Sequence, residues 1–483
     1  MFRRGSSPPP SRTATERAAT SPFATTRSGV VALALVALVA LAGCSGAPTT
    51  TDAQTTTDAP GPTDAAPATN ATATTAPPST TDAPTTRATT DRESTTTPGD
   101  HDGNDTASFR IPVRGNGTLP FDHNETYART MTLLGLDDPV DPPSQIYLYR
   151  PATPWQPTVS DPFALTLMDA RESSNFSRET RTGLSLALSG TESRTDLEFT
   201  VVHEYVHNAQ FARIQDTPTW DTTFSDAYQR HRAAAAVVEG AASYVALEYL
   251  ARYENRSRAA VVAETDGYRN ASPAGKYAWA PYHFGREYVA ERVDSPADHW
   301  RLYEEPPQTT EELIHGLEPG SEPPKPLSVT VDADAWSVEE RETRGELFAR
   351  VVLASELAEP KAARGAAGWG NDELVAFSNG SERAFAWTLR WDDAANATEF
   401  VDAFGAATNA RSPRSDGGWT VDDTRIRLVR VSPETVVVFT GPGSFVDSAT
   451  ATGSDGNVTV GGPAAGQSPA SRARGQAWYA SLT

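Results

Sequence analysis

The sequence predicts a mainly α domain of the α+β class, followed by a small α+β module and preceded by a long stalk that cannot fold. Three observations lead there. Apolar residues recur at helical spacing through most of residues 108–364. From 365 to 445 the pattern changes to strand, helix, strand, strand. Before residue 108, large apolar side chains are almost confined to one short run.

That run, "GVVALALVALVALAG" from Gly29 to Gly43, suits the apolar core of a signal peptide and is short for a membrane span. It ends at "LAGC", Leu41 to Cys44, which resembles a lipobox, the motif whose cysteine is lipidated and becomes the first mature residue. Residues 1–44 therefore read as a lipoprotein signal peptide, with Cys44 as the lipidation site and the extracellular side of the cell membrane as the destination. A plain signal peptide or a single anchor helix is the alternative. Arg3 and Arg4 lie far upstream of the apolar run, which leaves the export route open. Cys44 is the one cysteine of the 483-residue chain, so no internal disulfide can form and stability rests on packing and metal.

Residues 45–107 are nearly all Thr, Ala, Pro, Asp and Ser, as in "TTAPPSTTDAPTTRATT". Nothing there offsets the entropy of ordering the chain, and the segment reads as a disordered stalk. Sequons at Asn70, Asn104, Asn116, Asn124, Asn175, Asn255, Asn379, Asn396 and Asn457 suit a surface glycoprotein. The formal net charge is −21, with lysine only at Lys276, Lys325 and Lys361, which argues against nucleic acid as a partner. Dense carboxylates with little lysine resemble proteins of salt-loving archaea, where concentrated salt screens the self-repulsion. An ordinary acidic secreted protein would show the same balance.

In the folded part, "SRTDLEFTVVHEYVHNAQFARI" places Leu197, Val201, Tyr205 and Asn208 at helical spacing, with Thr195 or Asp196 as N-cap. Ser225 to Glu254 predicts a long alanine-rich helix capped by Ser225 or Asp226. Gly240 inside it costs stability relative to alanine and so points to close packing against another backbone. Two more helices are expected at "PYHFGREYVAERV" and "SVEERETRGELFARVVLASELA". In the module, "RAFAWTLRW", "TRIRLVRV" and "TVVVFTG" read as strands, and Ala397, Phe400, Val401 and Phe404 share a helical face. Residues 446–483 are expected to be mostly disordered.

Two of the chain's eight histidines fall within "HEYVH". His203 and His207, at i and i+4, project from one helical face, so that both imidazoles can bind one tetrahedral metal. Glu204 sits beside that face, where a carboxylate reaches a metal-activated water without being a ligand. A third ligand is required. Arg213 stands where a metzincin has its third histidine. Asp221, Asp226 and His231 are formal candidates. Glu239 is better placed if the two helices pack as a hairpin, and Ala235 and Ser243 at i±4 give it no basic partner that would otherwise compensate its burial.

"HEYVHNAQ" followed by "EGAASY" resembles the gluzincin metallopeptidases, the thermolysin-like clan, and especially their minimal peptidase-MA-like members. The resemblance runs from about Asp196 to Asp372, also touching "PPQTTEELIHG" and "GWGNDEL", and is specific at the two metal motifs. It implies a zincin-like catalytic domain over residues 108–364, zinc held by His203, His207 and Glu239, and Glu204 as catalytic base. Ser243 falls where some gluzincins carry an Asp that orients a zinc histidine, a role a serine fills only weakly. Gluzincins also supply a Tyr or His donor to the reaction's oxyanion, and "KYAWAPYHFG" offers Tyr277, Tyr282 and His283, with Tyr282 or His283 preferred and His315 as a further candidate. The leading expectation is a lipid-anchored zinc-dependent peptidase acting on peptides or proteins. The alternatives are a surface binding or structural glycoprotein on a protease-like scaffold, with recognition by the C-terminal module, and a zinc hydrolase of non-peptide substrates.

Overall fold

The computed structural model of the chain describes residues 109–463 except 137–139, 151–160, 169–182, 189 and 224–227; the side chains of 221–230 and of Ala274 are also outside it. The signal peptide with Cys44, the stalk, the helix-cap candidates Ser225 and Asp226, and the last part of the tail thus lie outside the described residues. From Arg110 onward the described chain belongs to one unit. It mixes helices with three sheets, in keeping with the α+β class.

The unit begins with three short parallel strands in the order β1 (Val113–Gly115), β2 (Ile146–Tyr149) and β3 (Leu184–Ala187). Helices α1 (His123–Leu133) and α2 (Pro162–Met168) lie between them in sequence. Strands of three or four residues carry too little alternation to be read from sequence, although Ile146, Leu148, Leu184 and Leu186 are all buried.

Helix α3 (Arg194–Arg213) starts with a capping box. Ser193 Oγ accepts from the Asp196 amide at 3.1 Å, and Asp196 Oδ2 accepts from the Ser193 amide at 3.0 Å. The N-cap is therefore Ser193 rather than Thr195 or Asp196. A short α4 (Pro218–Thr223) leads to α5 (Tyr228–Tyr253). The stretch His231–Tyr253 is long and apolar enough to cross a membrane, but 94% of its most apolar window is buried within the protein, which makes it a core helix. Around it pack α3, α4, α6 (Arg258–Thr265), α7 (Pro273–Arg292), the 3₁₀ helix Pro296–Tyr303 and α8 (Thr310–Ile314).

Helices α5 and α7 approach each other closely. A Cβ on Gly240 would stand 2.1 Å from the Gly285 carbonyl carbon, and one on Gly285 would stand 1.8 Å from the Ala236 carbonyl oxygen. Backbone rests on backbone at this crossing, as Gly240 predicted. Helix α7 also begins earlier than "PYHFG" suggested: Ser272 caps it and Pro281 lies inside. A proline cannot donate to the carbonyl four residues back, here that of Tyr277. Arg232 from α5 supplies the missing donor, Nη2 to Tyr277 O at 2.8 Å, which lets the helix run through the proline.

The C-terminal module is larger than residues 365–445. Strand β4 (Ser328–Asp332) precedes a six-stranded antiparallel sheet ordered β5-β6-β7-β10-β9-β8, with β5 Ser337–Glu342, β6 Trp369–Ser378, β7 Arg383–Trp391, β8 Trp419–Val421, β9 Thr424–Arg430 and β10 Thr435–Gly441. Helices α9 (Gly345–Ala354) and α10 (Glu359–Ala366) join β5 to β6, α11 (Ala394–Arg411) joins β7 to β8, and α12 (Gly443–Val446) follows β10. "SVEERE", expected to be helical, is thus the edge strand β5, whose charged side chains point outward and blunt the edge. The tail after residue 446 is likewise structured through 461. Strands β11 (Thr450–Ser454) and β12 (Asn457–Gly461) form a hairpin that adds to β4, and Val458 and Val460 join Phe377, Val437 and Phe439 in one core. Two buried apolar residues among glycines and serines were too sparse a signal to predict this.

Asp372, in "GWGNDEL", ties the module together. Its buried carboxylate accepts from the amides of Arg344 (3.0 Å) and Gly345 (2.8 Å) and from the indoles of Trp369 (3.0 Å) and Trp387 (2.7 Å). Gly345, at φ +81°, takes the left-handed conformation that opens α9.

The α5–α7 contact gives a direct test. Gly285→Ala should cost roughly 1–3 kcal/mol of stability and lower the metal content, because the helices must part. Gly405→Ala on α11, where a Cβ meets nothing within 4 Å, should do neither. Thermal melts and metal analysis of the two variants check this.

Candidate metal centre

Helices α3 and α5 pack against each other and bring three side chains to one point. Among the described residues, His203, His207 and Glu239 form the one group of three placed to hold a metal ion, and all are buried. The imidazole Nε2 atoms lie 2.9 Å apart, and Glu239 Oε2 is 3.2 Å from that of His203 and 3.1 Å from that of His207. Ligand atoms of a tetrahedral zinc, with bonds of about 2.0–2.1 Å, are separated by about 3.3 Å. The triangle is therefore close to the size such an ion sets. His231 is not part of it, and the side chains of Asp221 and Asp226 lie outside the described residues.

The surrounding hydrogen bonds set which way the histidine lone pairs point. Gln210 Nε2 donates to Val238 O at 2.9 Å and to the Tyr303 hydroxyl at 2.7 Å, which turns its Oε1 toward His207. His207 Nδ1 donates to that oxygen at 2.6 Å, so the neutral ring carries its lone pair on Nε2, facing His203 and Glu239. His203 Nδ1 meets Ser243 Oγ at 3.4 Å, a long contact that matches the weak role expected of a serine there. Gln210 was not singled out as a site residue from the sequence. Its signal was its place three residues after His207 on the same helix, where side chains share a face.

Such a centre calls for a cation. Burial works against charging either His207 or Glu239, yet their mutual attraction overrides it, raising the His207 pKa and lowering that of Glu239. His203 is pushed down by burial and by His207. The carboxylate's field thus favours one positive charge among the three atoms, as a proton or a metal ion. Glu239 Oε1, Glu204 Oε2 and the Tyr282 hydroxyl are all buried without a hydrogen-bond partner, which a metal, its water and a substrate would relieve. The residues present fit a metal ion.

Glu204 lies on α3 between the two histidines, and burial raises its pKa to about 8, with Glu239 adding to the rise and His207 opposing it. Tyr282 and His283 are consecutive on α7 and so leave the helix about 100° apart. Tyr282 faces the centre: its ring stacks with His203 at 5.9 Å between centroids, and burial followed by the Glu239 and Glu204 carboxylates raises its pKa well above 10. His283 is turned to Asp266, with Nδ1 2.9 Å from Oδ2, and stacks on Tyr268. The other two candidates are committed elsewhere. Tyr277 donates from its hydroxyl to Asp161 Oδ2 at 3.3 Å, and His315 Nε2 bonds the Glu346 carboxylate at 2.9 Å.

Gln210→Leu should keep the fold but weaken zinc binding by roughly 10-fold or more, since His207 then loses the partner that fixes its ring; competition of the apoprotein with a chromogenic chelator measures it. A second test concerns the 3₁₀ helix that carries Tyr303. Burial lowers His299 there from 6.5 to about 4, its Nδ1 donates to Pro296 O, and its Nε2 is without a partner. Because the folded pKa lies below the unfolded one, the unfolded chain takes up the proton first. The stability from keeping His299 neutral is complete above pH 6.5 and lost as pH falls to 4, up to about 3 kcal/mol. Denaturant unfolding at several pH values should show a shallower acid loss for His299→Phe than for the parent.

Residues 335–450 match the family model of a domain of unknown function (DUF8575), a span that covers the six-stranded sheet and none of the metal-site residues. No curated protein and no solved structure matches the chain.

Proposed function

We propose that the chain is a zinc-dependent peptidase of the gluzincin type, anchored by lipid at Cys44 on the outer side of the cell membrane. The observation that carries the reading is Glu204. A structural zinc site has no use for a buried carboxylate with a free oxygen beside its ligands, whereas a hydrolase needs a base there. Two histidines and one carboxylate are a ligand set that suits zinc, and the gluzincin resemblance at "HEYVH" and Glu239 supports the same metal.

When bound, zinc would polarise the scissile carbonyl and make water more acidic. His203, His207 and Glu239 hold the ion, and Gln210 orients His207. Glu204, buried beside the ligands with a free carboxylate oxygen, would take a proton from the attacking water and pass it to the leaving amine. Tyr282, kept protonated by its raised pKa, donates its hydroxyl proton toward the negative oxygen formed at the carbonyl. Tyr282 is favoured over His283 for this role because its ring lies against His203.

Glu204→Gln keeps size and most hydrogen bonding but removes the base. The variant should fold, bind zinc as the parent does, and cleave casein-like or peptide-library substrates about 10²- to 10⁴-fold more slowly. Assays belong in both low and molar salt, because the acidic surface is self-repelling without screening. If the zinc-loaded parent cleaves no peptide under either condition, the peptidase reading falls and hydrolysis of non-peptide substrates or surface binding takes its place.

A further inference from the structure

Beside the metal centre, on the His203 side, lies a small open cavity of about 40 Å³. Its wall includes His203, Trp279, Tyr282, Asp266, His283 and Arg286. Arg286 is only 8% exposed, yet it lines this space. A guanidinium has five N–H donors. Among the described residues Arg286 has one partner: Nη2 bonds Asp266 Oδ2 at 3.1 Å. None of its remaining donors is among the sealed, unpaired atoms of the interior, and the residue itself lines the cavity.

The charge balance around Arg286 leaves room for an anion. Asp266 Oδ2 is shared by His283 Nδ1 at 2.9 Å and Arg286 Nη2 at 3.1 Å, with the largely exposed Arg269 Nε at 3.5 Å, so the carboxylate facing Arg286 is divided among several donors. Glu287, 3.6 Å from His283 Nε2, is half-exposed, and solvent screens its charge. Spacing sets what kind of anion. Arg286 follows Tyr282 by four residues on α7, a rise of about 6 Å, which is one or two residues of extended peptide at about 3.3 Å each. The cavity, open to solvent beside His203, has room for a carboxylate at Arg286.

We propose that this cavity binds the C-terminal carboxylate of the substrate through Arg286, so that the enzyme removes one or two residues from the C-terminus of peptides. The proposal rests on the peptidase reading and narrows it. In the reaction water adds across one peptide C–N bond: its oxygen joins the new carboxyl group and a proton goes to the released amine, with no redox partner needed. Arg286 is a specificity-determining residue, reaching the substrate at its terminus while Glu204 and Tyr282 serve the reacting bond.

The test uses the full zinc-loaded chain on matched peptides prepared as free acids and as C-terminal amides, with and without internal Asp or Glu, and products identified by mass spectrometry. The free acids should lose one or two terminal residues, and the amides should react roughly 10- to 100-fold less well in kcat/KM. Arg286→Gln should erase that difference, chiefly through KM and with zinc content unchanged. The acid–amide comparison on the parent stands even if that variant does not fold. Equal cleavage of acids and amides, internal cuts, or a preference that follows internal Asp or Glu overturns the proposal while leaving the peptidase reading in place. No cleavage of any peptide by the zinc-loaded chain overturns both.

Discussion

The contact on which the site depends is the meeting of two glycines, Gly240 on α5 and Gly285 on α7. Each lies next to or near a functional residue: Glu239 immediately precedes the first, and Tyr282 and Arg286 flank the second. A Cβ at Gly240 would stand 2.1 Å from the Gly285 carbonyl carbon and one at Gly285 1.8 Å from the Ala236 carbonyl oxygen, so any side chain at either position would force the helices apart. With no Cβ between them, α7 reaches far enough in for the Tyr282 ring to lie against His203. The Arg232 bond to the Tyr277 carbonyl serves the same end, since it keeps α7 continuous across Pro281, one residue before Tyr282.

The candidate metal centre is an arrangement of buried charge that a cation would complete. Two imidazole nitrogens and a carboxylate oxygen face one another within 3.2 Å, and their natural resolution is a cation among them. Around them the support is asymmetric. His207 is held by Gln210, which is itself fixed by a backbone carbonyl and a buried tyrosine, whereas His203 has only a long contact to Ser243. Aromatic stacking with Phe199 and Tyr282 stands in for a strong hydrogen bond in orienting the His203 ring.

The C-terminal sheet module is joined to the helical part of the protein through α9, which packs on α7 and α8. Arg344 lies at that junction, ion-paired with Asp161 and Glu342 while its backbone amide bonds Asp372. The segment "GWGNDEL" therefore has a structural role: its aspartate gathers two indoles and the start of a helix at one buried carboxylate.

The sequence by itself determined the long helices, the pair His203 and His207 with Glu204 beside them, and the preference for Glu239, because helical spacing and the cost of burying an unpaired acid are local properties that a one-dimensional pattern carries. It also marked Gly240 as a point of close packing. What it did not carry was anything set by distant partners. The Ser193 capping box, the short strands β1 to β3, the strand identity of "SVEERE" and the hairpin after residue 446 depend on neighbours or on patterns too brief to read. The tertiary structure alone decided that Tyr282 rather than His283 lies against the candidate metal ligands, that Gln210 holds His207, and that Arg286 lines the same cavity as His203. Each of these depends on how α3, α5 and α7 cross, and the crossing is fixed by where two backbones can touch.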